Sequence, residues 1–297
     1  MDLRPNLVRM TYDLYIGDYA YSSWSLRGWL LVNRFELSAQ IIMIPFAKKD
    51  VADQMSDIGT ARTVPTLICH DGAVVSESAA IAEELATRHP KAGIWPINPK
   101  ACALARTLLS EMASGFTALR ADCPMNLRVC YSDCSPSDAV RADIARLEEI
   151  WAYARAHRVS DGPWLLGDYS AADAFFAPVA GRIGGYSLPV GDDAATYVAA
   201  HLADPAFRRW RAMALVHGPD LPWYRKDYPQ KDWPGPVPLA AHAILHGTPE
   251  NAACPYSGKS PSHLMEIDGR IFGFCNPFCR DKTVADPEAW PDFMTLV

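Results

Sequence analysis

Three serines and an arginine are concentrated in residues 21–27, which read Tyr-Ser-Ser-Trp-Ser-Leu-Arg. The apolar spacing that follows predicts a helix starting here, and the first N–H groups and dipole of a helix favour negative charge. If the anion is the thiolate of a ligand, its pKa falls below about 8.5, so more of it is nucleophilic near neutral pH. The alternative is that Ser22 and Ser23 only cap the helix.

A strand–helix–strand unit is predicted to position these serines. Residues 13–17 are a short β-prone run, residues 25–35 repeat apolar side chains at helical spacing, and residues 39–45 are rich in branched residues. The two strands should be parallel. We expect the folded part to begin after Met10, with residues 1–10 as a loose extension.

An antiparallel hairpin is predicted next, from residues 63–69 and 74–78 joined by Asp71-Gly72. Residues 79–87 then return to helical periodicity. This order is that of an α/β thioredoxin-like domain, which we place over residues 12–90.

An all-α helical domain is predicted for residues 98–218, because helix formers dominate this stretch between a few proline and glycine breakers. Residues 219–249 form a Pro/aromatic-rich linker, and so many aromatics suggest that it lies extended against the helical domain. Residues 240–245 are expected to form one short helix before a final module at residues 250–297.

Cysteines in this module could bind a metal. Cys254 is followed by the Cys-x-x-x-Cys pair Cys275 and Cys279, with a predicted hairpin around Asp268-Gly269 between them. Thiolates in a compact turn suit zinc, and so small a module lacks a sufficient core of its own. His263 could supply the fourth ligand, or that position could be empty.

Two other interpretations of these residues stay open. The three cysteines could be reduced thiols packed against nearby phenylalanines. His242 and His246 are four residues apart on the expected helix, which suits a metal pair, but isolated pairs of this kind are mostly surface residues.

At the Ser-Ser-x-Ser-x-Arg turn the chain resembles the glutathione S-transferase superfamily, and in particular its serine-type, zeta-like bacterial members. The resemblance extends to Val64-Pro65-Thr66-Leu67, Ser76-Glu77-Ser78 and the capping box Ser170–Asp173. It implies a glutathione transferase in which Ser22, or its neighbour Ser23, activates the thiol for attack on a small-molecule electrophile or a peroxide. Trp24 stands where zeta members carry cysteine, which argues against the zeta isomerase reaction.

The resemblance also implies where glutathione, the co-substrate, would bind. The backbone of Val64 before a cis Pro65 would pair with its cysteinyl part, and Glu77 and Ser78 would hold its γ-glutamyl end. Lys49 and Arg62 are candidates for the glycyl carboxylate or are solvated surface charges. Three further residues are expected either to line the substrate pocket or to serve helix packing. They are Met112, Phe116 and Arg120.

The final module is similar to small YHS and TRASH-type modules, which implies a zinc-ribbon or treble-clef-like fold with Cys254, His263, Cys275 and Cys279 as metal ligands. Ser257 occupies the place where a Cys-x-x-Cys pair would have its second thiol.

Composition excludes several classes. A net charge of -6 gives no basic excess for nucleic acid, and no run of about 18 apolar residues predicts a membrane span. With no apolar signal segment, we expect a cytoplasmic protein whose eight cysteines are reduced or bind metal. The family resemblance implies a homodimer.

There are two alternatives to a glutathione transferase. One is a thiol-disulfide oxidoreductase, which would need a cysteine at the Ser22 turn, and the other is a non-catalytic protein whose tail binds metal or a partner.

Overall fold

The computed structural model describes residues 12–297, so the expected loose extension at residues 1–10 lies outside the described part. The N-terminal unit consists of β1 (Tyr12–Ile16), α1 (Ser23–Asn33), β2 (Ala39–Met43), α2 (Val51–Gln54), β3 (Thr66–Ile68), β4 (Val74–Ser76) and α3 (Ser78–Arg88).

Its four strands form one mixed sheet in the order β2-β1-β3-β4. Strand β1 pairs parallel with β2 and antiparallel with β3, and Leu14 at the centre is opposite Ile41 on one side and Leu67 on the other. Strand β4 completes the hairpin with β3. The predicted thioredoxin-like topology is confirmed.

Helix α1 packs closely on the loop before β3. A Cβ atom on Gly28 would lie 2.8 Å from Cβ of Pro65, so glycine is needed for this approach. The Val64–Pro65 peptide bond is cis, as the resemblance implies.

The helical part has six helices that cover most of residues 99–216. They are α4 (Pro99–Ser114), α5 (Thr117–Asp122), α6 (Asp138–Ala156), α7 (Ala171–Gly185), α8 (Asp192–Ala203) and α9 (Pro205–Val216). Asp173 is buried at the start of α7, where its carboxylate accepts hydrogen bonds from the N–H groups of Leu165 (3.0 Å) and Ser170 (2.9 Å) and from the Tyr197 hydroxyl (2.9 Å). The capping box predicted at this position is present.

The proline- and aromatic-rich segment after α9 packs on both preceding parts of the chain. A 3₁₀ turn, Pro222–Tyr224, places the Tyr224 ring 4.6 Å from that of Tyr21 in a stacked arrangement. Farther on, the short strand β6 (Gln230–Lys231) pairs antiparallel with β5 (Cys130–Tyr131) of the helical part.

The C-terminal module, defined here as residues 241–294, is a three-stranded antiparallel sheet with two helices. Its elements are β7 (Ala241–Ile244), β8 (His263–Ile267), β9 (Arg270–Phe274), α10 (Pro277–Ala285) and α11 (Pro291–Met294). The hairpin predicted around Asp268-Gly269 joins β8 to β9. The short helix predicted over residues 240–245 is wrong, because this stretch pairs with β8 as a strand. His242 and His246 therefore do not share a helix face, and both are exposed.

The module is fixed to helix α9 by a two-pronged ion pair. The Arg208 guanidinium donates to both carboxylate oxygens of Asp286 at 2.7 and 2.8 Å, and Phe278 stacks at 6.5 Å on Tyr19 of the N-terminal unit. Among residues 12–297, none of the helices combines the length and the apolar character needed to cross a membrane.

Candidate active site

A chain of hydroxyl groups lies at the turn from β1 into α1. Ser22 is the N-cap of α1, and its Oγ accepts from the N–H of Ser25 at 3.3 Å while donating to Oγ of Ser25 at 2.7 Å. The same Ser25 oxygen accepts from the N–H of Gly17 at 2.9 Å. Both serines are buried, so the hydroxyls hold defined positions at the positive end of the helix.

The turn is held tightly against the loop after β2. Asp18 accepts from the N–H of Phe46 at 2.7 Å, and its carbonyl accepts from the N–H of Ser22 at 2.9 Å. A Cβ on Gly17 would lie 2.4 Å from the tip of the Phe46 ring, so a larger residue here would require that ring to move.

Ser22 opens onto a cavity of about 500 Å³ between the N-terminal unit and the helices. This volume is within the usual range for small-molecule sites. Its walls come from α1, the loop after β2, α5, α7 and the 3₁₀ turn. The lining residues are Tyr21, Ser22, Ser23, Trp24, Phe46, Thr117, Arg120, Ala121, Pro124, Met125, Arg182 and Tyr224.

Two arginines, Arg27 and Arg120, pack on the Trp24 ring, and a third, Arg182, lines the same cavity as Trp24 and Arg120. Arg27 is fully buried with its Cζ 4.2 Å from the Trp24 ring centre, and Arg120 places its Cζ 4.9 Å from the same centre. Arg182 donates to Oγ of Ser23 at 3.3 Å. Burial and the neighbouring Arg120 lower the pKa of Arg182 to about 10. Burial and the other two arginines likewise lower the pKa of Arg27.

The residues predicted for the γ-glutamyl end of glutathione lie at the start of α3. Glu77 is exposed at the N-cap with a φ of 69°, which glutamate rarely adopts, and its carboxylate accepts from the Thr63 hydroxyl at 3.4 Å. Ser78 is buried in the first turn. Val64 and Pro65 precede β3, which pairs with β4 directly before Glu77.

Lys49 and Arg62 are both exposed side chains on the loops that flank α2. The Arg62 guanidinium donates to the carbonyl oxygen of Ala61 at 2.7 Å. Neither residue lines the cavity.

Of the three residues predicted for the substrate pocket, only Arg120 lines the cavity. Met112 and Phe116 are buried in the core instead, because the apolar stripe of α4 continues through Met112 and the turn after it directs Phe116 inward. Sequence reasoning missed Arg182 and Tyr224. Arg182 could have been noticed as the one basic residue inside the apolar helix α7. Tyr224 gave no such signal, because its place depends on the chain folding back onto Tyr21.

The C-terminal module brings three thiols together. The sulfur atoms of Cys254, Cys275 and Cys279 all lie within 4.8 Å of one another, and those of Cys275 and Cys279 are 3.9 Å apart. His263 does not join this group; its Nδ1 is 3.0 Å from Oγ of Ser262. The Ser257 hydroxyl donates to the sulfur of Cys275 at 3.1 Å.

The surroundings of this cluster shift the pKa values of two of its thiols in opposite directions, lowering that of Cys254 and raising that of Cys279. Burial acts to raise the pKa of Cys254, but hydrogen bonds from the N–H groups of Cys275, Tyr256 and Ser257 bring it to about 7. The buried Lys282 ammonium, 3.8 Å from the Tyr256 ring centre, supplies a nearby positive charge, although burial lowers its pKa to about 8. Burial raises the pKa of Cys279 to about 12.

Comparison with known families finds a match to one family model, described as glutathione S-transferase, N-terminal domain, over residues 21–88. No curated protein matches the chain significantly.

Among solved structures, the chain is similar to a glutathione transferase homologue from Burkholderia gl BGR1 with bound glutathione. The identity is 26% and the TM-score 0.50, over 67% of this chain and 95% of that one. It is also similar to glutathione transferase Omega 1C from Trametes versicolor, at 15% identity and a TM-score of 0.53, over 69% and 94% of the chains. A third similar structure is Ure2p in complex with S-hexylglutathione, at 18% identity and a TM-score of 0.51, over 67% and 97%.

These findings agree with the thioredoxin-like sheet order and with the helical part that follows it. Residues 21–88 match a glutathione S-transferase N-terminal domain, and the chain has a glutathione transferase-like fold followed by a C-terminal module.

Proposed function

We propose that this protein is a glutathione transferase in which the Ser22 hydroxyl stabilises the ionised thiol of glutathione for attack on an electrophile or a peroxide. The observation that carries the proposal is the chain of hydrogen bonds from Gly17 through Ser25 to Ser22, which ends at the cavity wall. The proposal draws support from the family match and from the glutathione bound in the Burkholderia homologue.

Glutathione would lie along the edge of the N-terminal unit. Glu77 would pair with its ammonium group, Ser78 and the start of α3 would hold its γ-glutamyl carboxylate, and Val64 would pair with its cysteinyl backbone. Lys49 and Arg62 remain candidates for the glycyl carboxylate.

The hydroxyl chain would then reverse its direction. With a thiolate beside Ser22, the Ser22 proton turns towards the sulfur, and Ser25 donates in turn to the Ser22 oxygen. The N–H of Gly17 continues to donate to Ser25, so each bond polarises the next. The thiol proton goes to solvent, the thiolate forms a C–S bond to the electrophile, and the leaving group departs with its electron pair. Ser25 is in this scheme a positioning residue.

The test is retention on immobilised glutathione together with turnover of a generic neutral electrophile. We expect retention and turnover for the native protein, and much reduced turnover for Ser22→Ala. Unchanged turnover in Ser22→Ala would eliminate Ser22 as the activator and direct the same test to Ser23→Ala. Retention without any turnover would favour the second candidate, a non-catalytic glutathione-binding protein that uses its C-terminal module for metal or partner binding.

We further propose that Cys254, Cys275 and Cys279 bind zinc. With Zn–S bonds of about 2.3 Å, tetrahedral geometry requires sulfur atoms about 3.8 Å apart, close to the 3.9 Å between Cys275 and Cys279. Three thiolates and one Zn²⁺ leave a single negative charge, which Lys282 would offset. The metal would supply folding free energy to the module. The fourth ligand stays open between a distant His263, the nearby Ser257 and water.

Elemental analysis of the purified protein tests this site. We expect one zinc per chain, and loss of that zinc in Cys275→Ser but not in Cys102→Ser, which replaces an unrelated cysteine on α4. Absence of metal from protein purified without chelator would leave three packed, reduced thiols.

Two expectations complete the proposal. We expect reaction in the cytoplasm, where thiols stay reduced, in keeping with eight free cysteines. A homodimer is expected by resemblance, and light scattering would measure it.

A further inference from the structure

We propose that the second substrate is acidic, an electrophile that carries a carboxylate on an apolar body, and that Arg120 and Arg182 bind this carboxylate in the cavity. The inference rests on the proposed transferase function, because it names the substrate class of the same site. It starts from a group of cationic side chains for which the described residues offer no anion.

Arg182 is the clearest case. Its side chain is 5% exposed, and it lines the cavity. It donates to the carbonyl oxygens of Cys123 (2.9 Å) and Pro178 (3.3 Å) and to the Ser23 hydroxyl (3.3 Å), all of them neutral acceptors. A buried cation without an anionic partner is costly, and an anion that binds beside it recovers part of that cost.

Arg27 adds a second buried charge below Trp24. Its Nε donates to the carbonyl oxygen of Phe175 at 3.0 Å, but neither Nη1 nor Nη2 has a hydrogen-bond partner among the described residues. Arg120 is half-buried at the cavity wall and reaches only two backbone carbonyl oxygens, at 3.4 and 3.5 Å.

Elsewhere in residues 12–297, several partly buried arginines have carboxylate partners, whereas Arg155, Arg209 and Arg211, which do not line the cavity, form no such pair with a described residue. Arg34 pairs with Asp204 at 3.2 Å, Arg128 with Asp220 at 2.7 Å and Arg208 with Asp286 at 2.7 Å. Arg27, Arg120 and Arg182 form no such pair with a described residue. Their positive charge is therefore available to a bound anion.

Glutathione does not account for these arginines. The residues proposed for its two carboxylates lie at the start of α3 and beside α2, and none of them lines the cavity. Arg120 and Arg182 come instead from α5 and α7 of the helical part.

The other lining residues of the cavity indicate the chemical character of the rest of the ligand. Trp24, Phe46, Pro124 and Met125 offer apolar surface in the cavity that Arg120, Arg182 and Ser22 also line. A planar, electron-poor ring or an activated double bond would fit against this surface. Its carboxylate would then reach the guanidinium groups while its reacting carbon faces the sulfur.

A matched pair of electrophiles separates charge from shape. We would compare a chlorodinitrobenzoate with the corresponding chlorodinitrobenzamide, two molecules of nearly equal size. In both, the glutathione sulfur forms a bond to the ring carbon, the C–Cl bond breaks, and chloride leaves with the electron pair. Each kcat/KM is divided by the uncatalysed rate with glutathione, which removes the difference in intrinsic reactivity.

We expect the native protein to prefer the acid, and Arg120→Met to lower this acid-over-amide ratio roughly tenfold, the effect of a lost charge-assisted hydrogen bond. Arg120→Lys, which keeps the charge, should restore part of it. Arg146→Met is the matched control, because it removes the same charge from an arginine that pairs with Glu111 and Glu149 outside the cavity. Its ratio should equal that of the native protein. If the arginines instead stabilised the thiolate, Arg120→Met would slow both electrophiles equally and the ratio would stay constant, which overturns the proposal.

A binding measurement keeps this result distinct from failure of the transferase function. Calorimetry with 3,5-dinitrobenzoate and 3,5-dinitrobenzamide, which lack the chloride leaving group, needs no turnover. Tighter binding of the acid that depends on Arg120 supports the anion site even in a protein that conjugates nothing. Equal affinities for acid and amide in the native protein would overturn it, whatever the activity.

Discussion

Replacing Ser22 with alanine tests the proposed activation of glutathione directly. The substitution removes the one hydroxyl that caps α1 and faces the cavity. A hydrogen bond to a charged group contributes about 1.5–3 kcal/mol. At 1.36 kcal/mol for each pKa unit, its loss should raise the pKa of the bound thiol by about 1–2 units.

The assay is the ultraviolet absorbance of the thiolate, followed against pH for glutathione bound to native and variant protein. We expect the titration of the variant to move upward by about 1–2 units, and the pH profile of kcat/KM to move with it. Affinity for glutathione should change little, because Glu77, Ser78 and Val64 would hold the rest of the molecule.

Loss of the cap alone must be separated from loss of activation, since removing an N-cap serine costs about 0.5–2 kcal/mol of stability. Ser137→Ala is the matched control, because Ser137 caps α6. Its Oγ accepts from the N–H of Val140 at 3.3 Å, the same distance as from the N–H of Ser25 to Oγ of Ser22. It should lose similar stability with no change in the thiol titration. An unshifted titration in Ser22→Ala, with glutathione bound, would refute the reasoning.

Three further predictions concern stability and the shape of the site. His201 is buried, and burial lowers its pKa to about 3, so between about pH 6.5 and 3 only the unfolded chain binds its proton and stability falls as the pH falls. Between pH 7 and 5 the free energy of unfolding, measured with urea, should fall by about 2 kcal/mol less in His201→Phe than in the native protein. Equal decreases in the two proteins would contradict this. Asp286→Asn should weaken the ion pair with Arg208 and raise hydrogen exchange in β7–β9 ahead of α4–α8, whereas uniform exchange would show that the module is not held there. Gly28→Ala should force Pro65 away from α1 and raise the KM for glutathione at nearly constant kcat, while an unchanged KM would mean that the 2.8 Å approach is relieved without moving Val64.

Local turn chemistry made the N-terminal unit predictable from sequence. Asp71-Gly72 predicts the hairpin because Gly72 adopts a positive φ, 85°, at no steric cost, and the serines before α1 predict its start because they satisfy unpaired N–H groups. Each of these signals is contained within a few neighbouring residues.

The errors arose where partners distant in sequence decide the outcome. Residues 241–244 show neither helical nor alternating periodicity, and only pairing with β8 makes them a strand. The sequence could not assign Met112 and Phe116 to the core or to the cleft. Helical spacing shows which residues share one face of a helix, but it does not show whether protein or a ligand packs against that face. Arg182 on α7 and Tyr224 on the 3₁₀ turn are far apart in sequence and line the same cavity only in the folded chain.

The segment around Tyr224 connects the N-terminal unit to the chain that leads into the C-terminal module, because the Tyr224 ring stacks on that of Tyr21. The N–H of Leu221 donates to the Tyr21 hydroxyl at 3.1 Å, so the peptide that leads to the C-terminal module is anchored beside the Ser22 turn. A chain cut short after α9 would keep every element from β1 to α9 and still lose Tyr224, which lines one side of the cavity. Because coupling between two sites is reciprocal, a ligand that binds in the cavity should strengthen the contact between the C-terminal module and the rest of the chain. A change that weakens this contact should lower the affinity for the ligand.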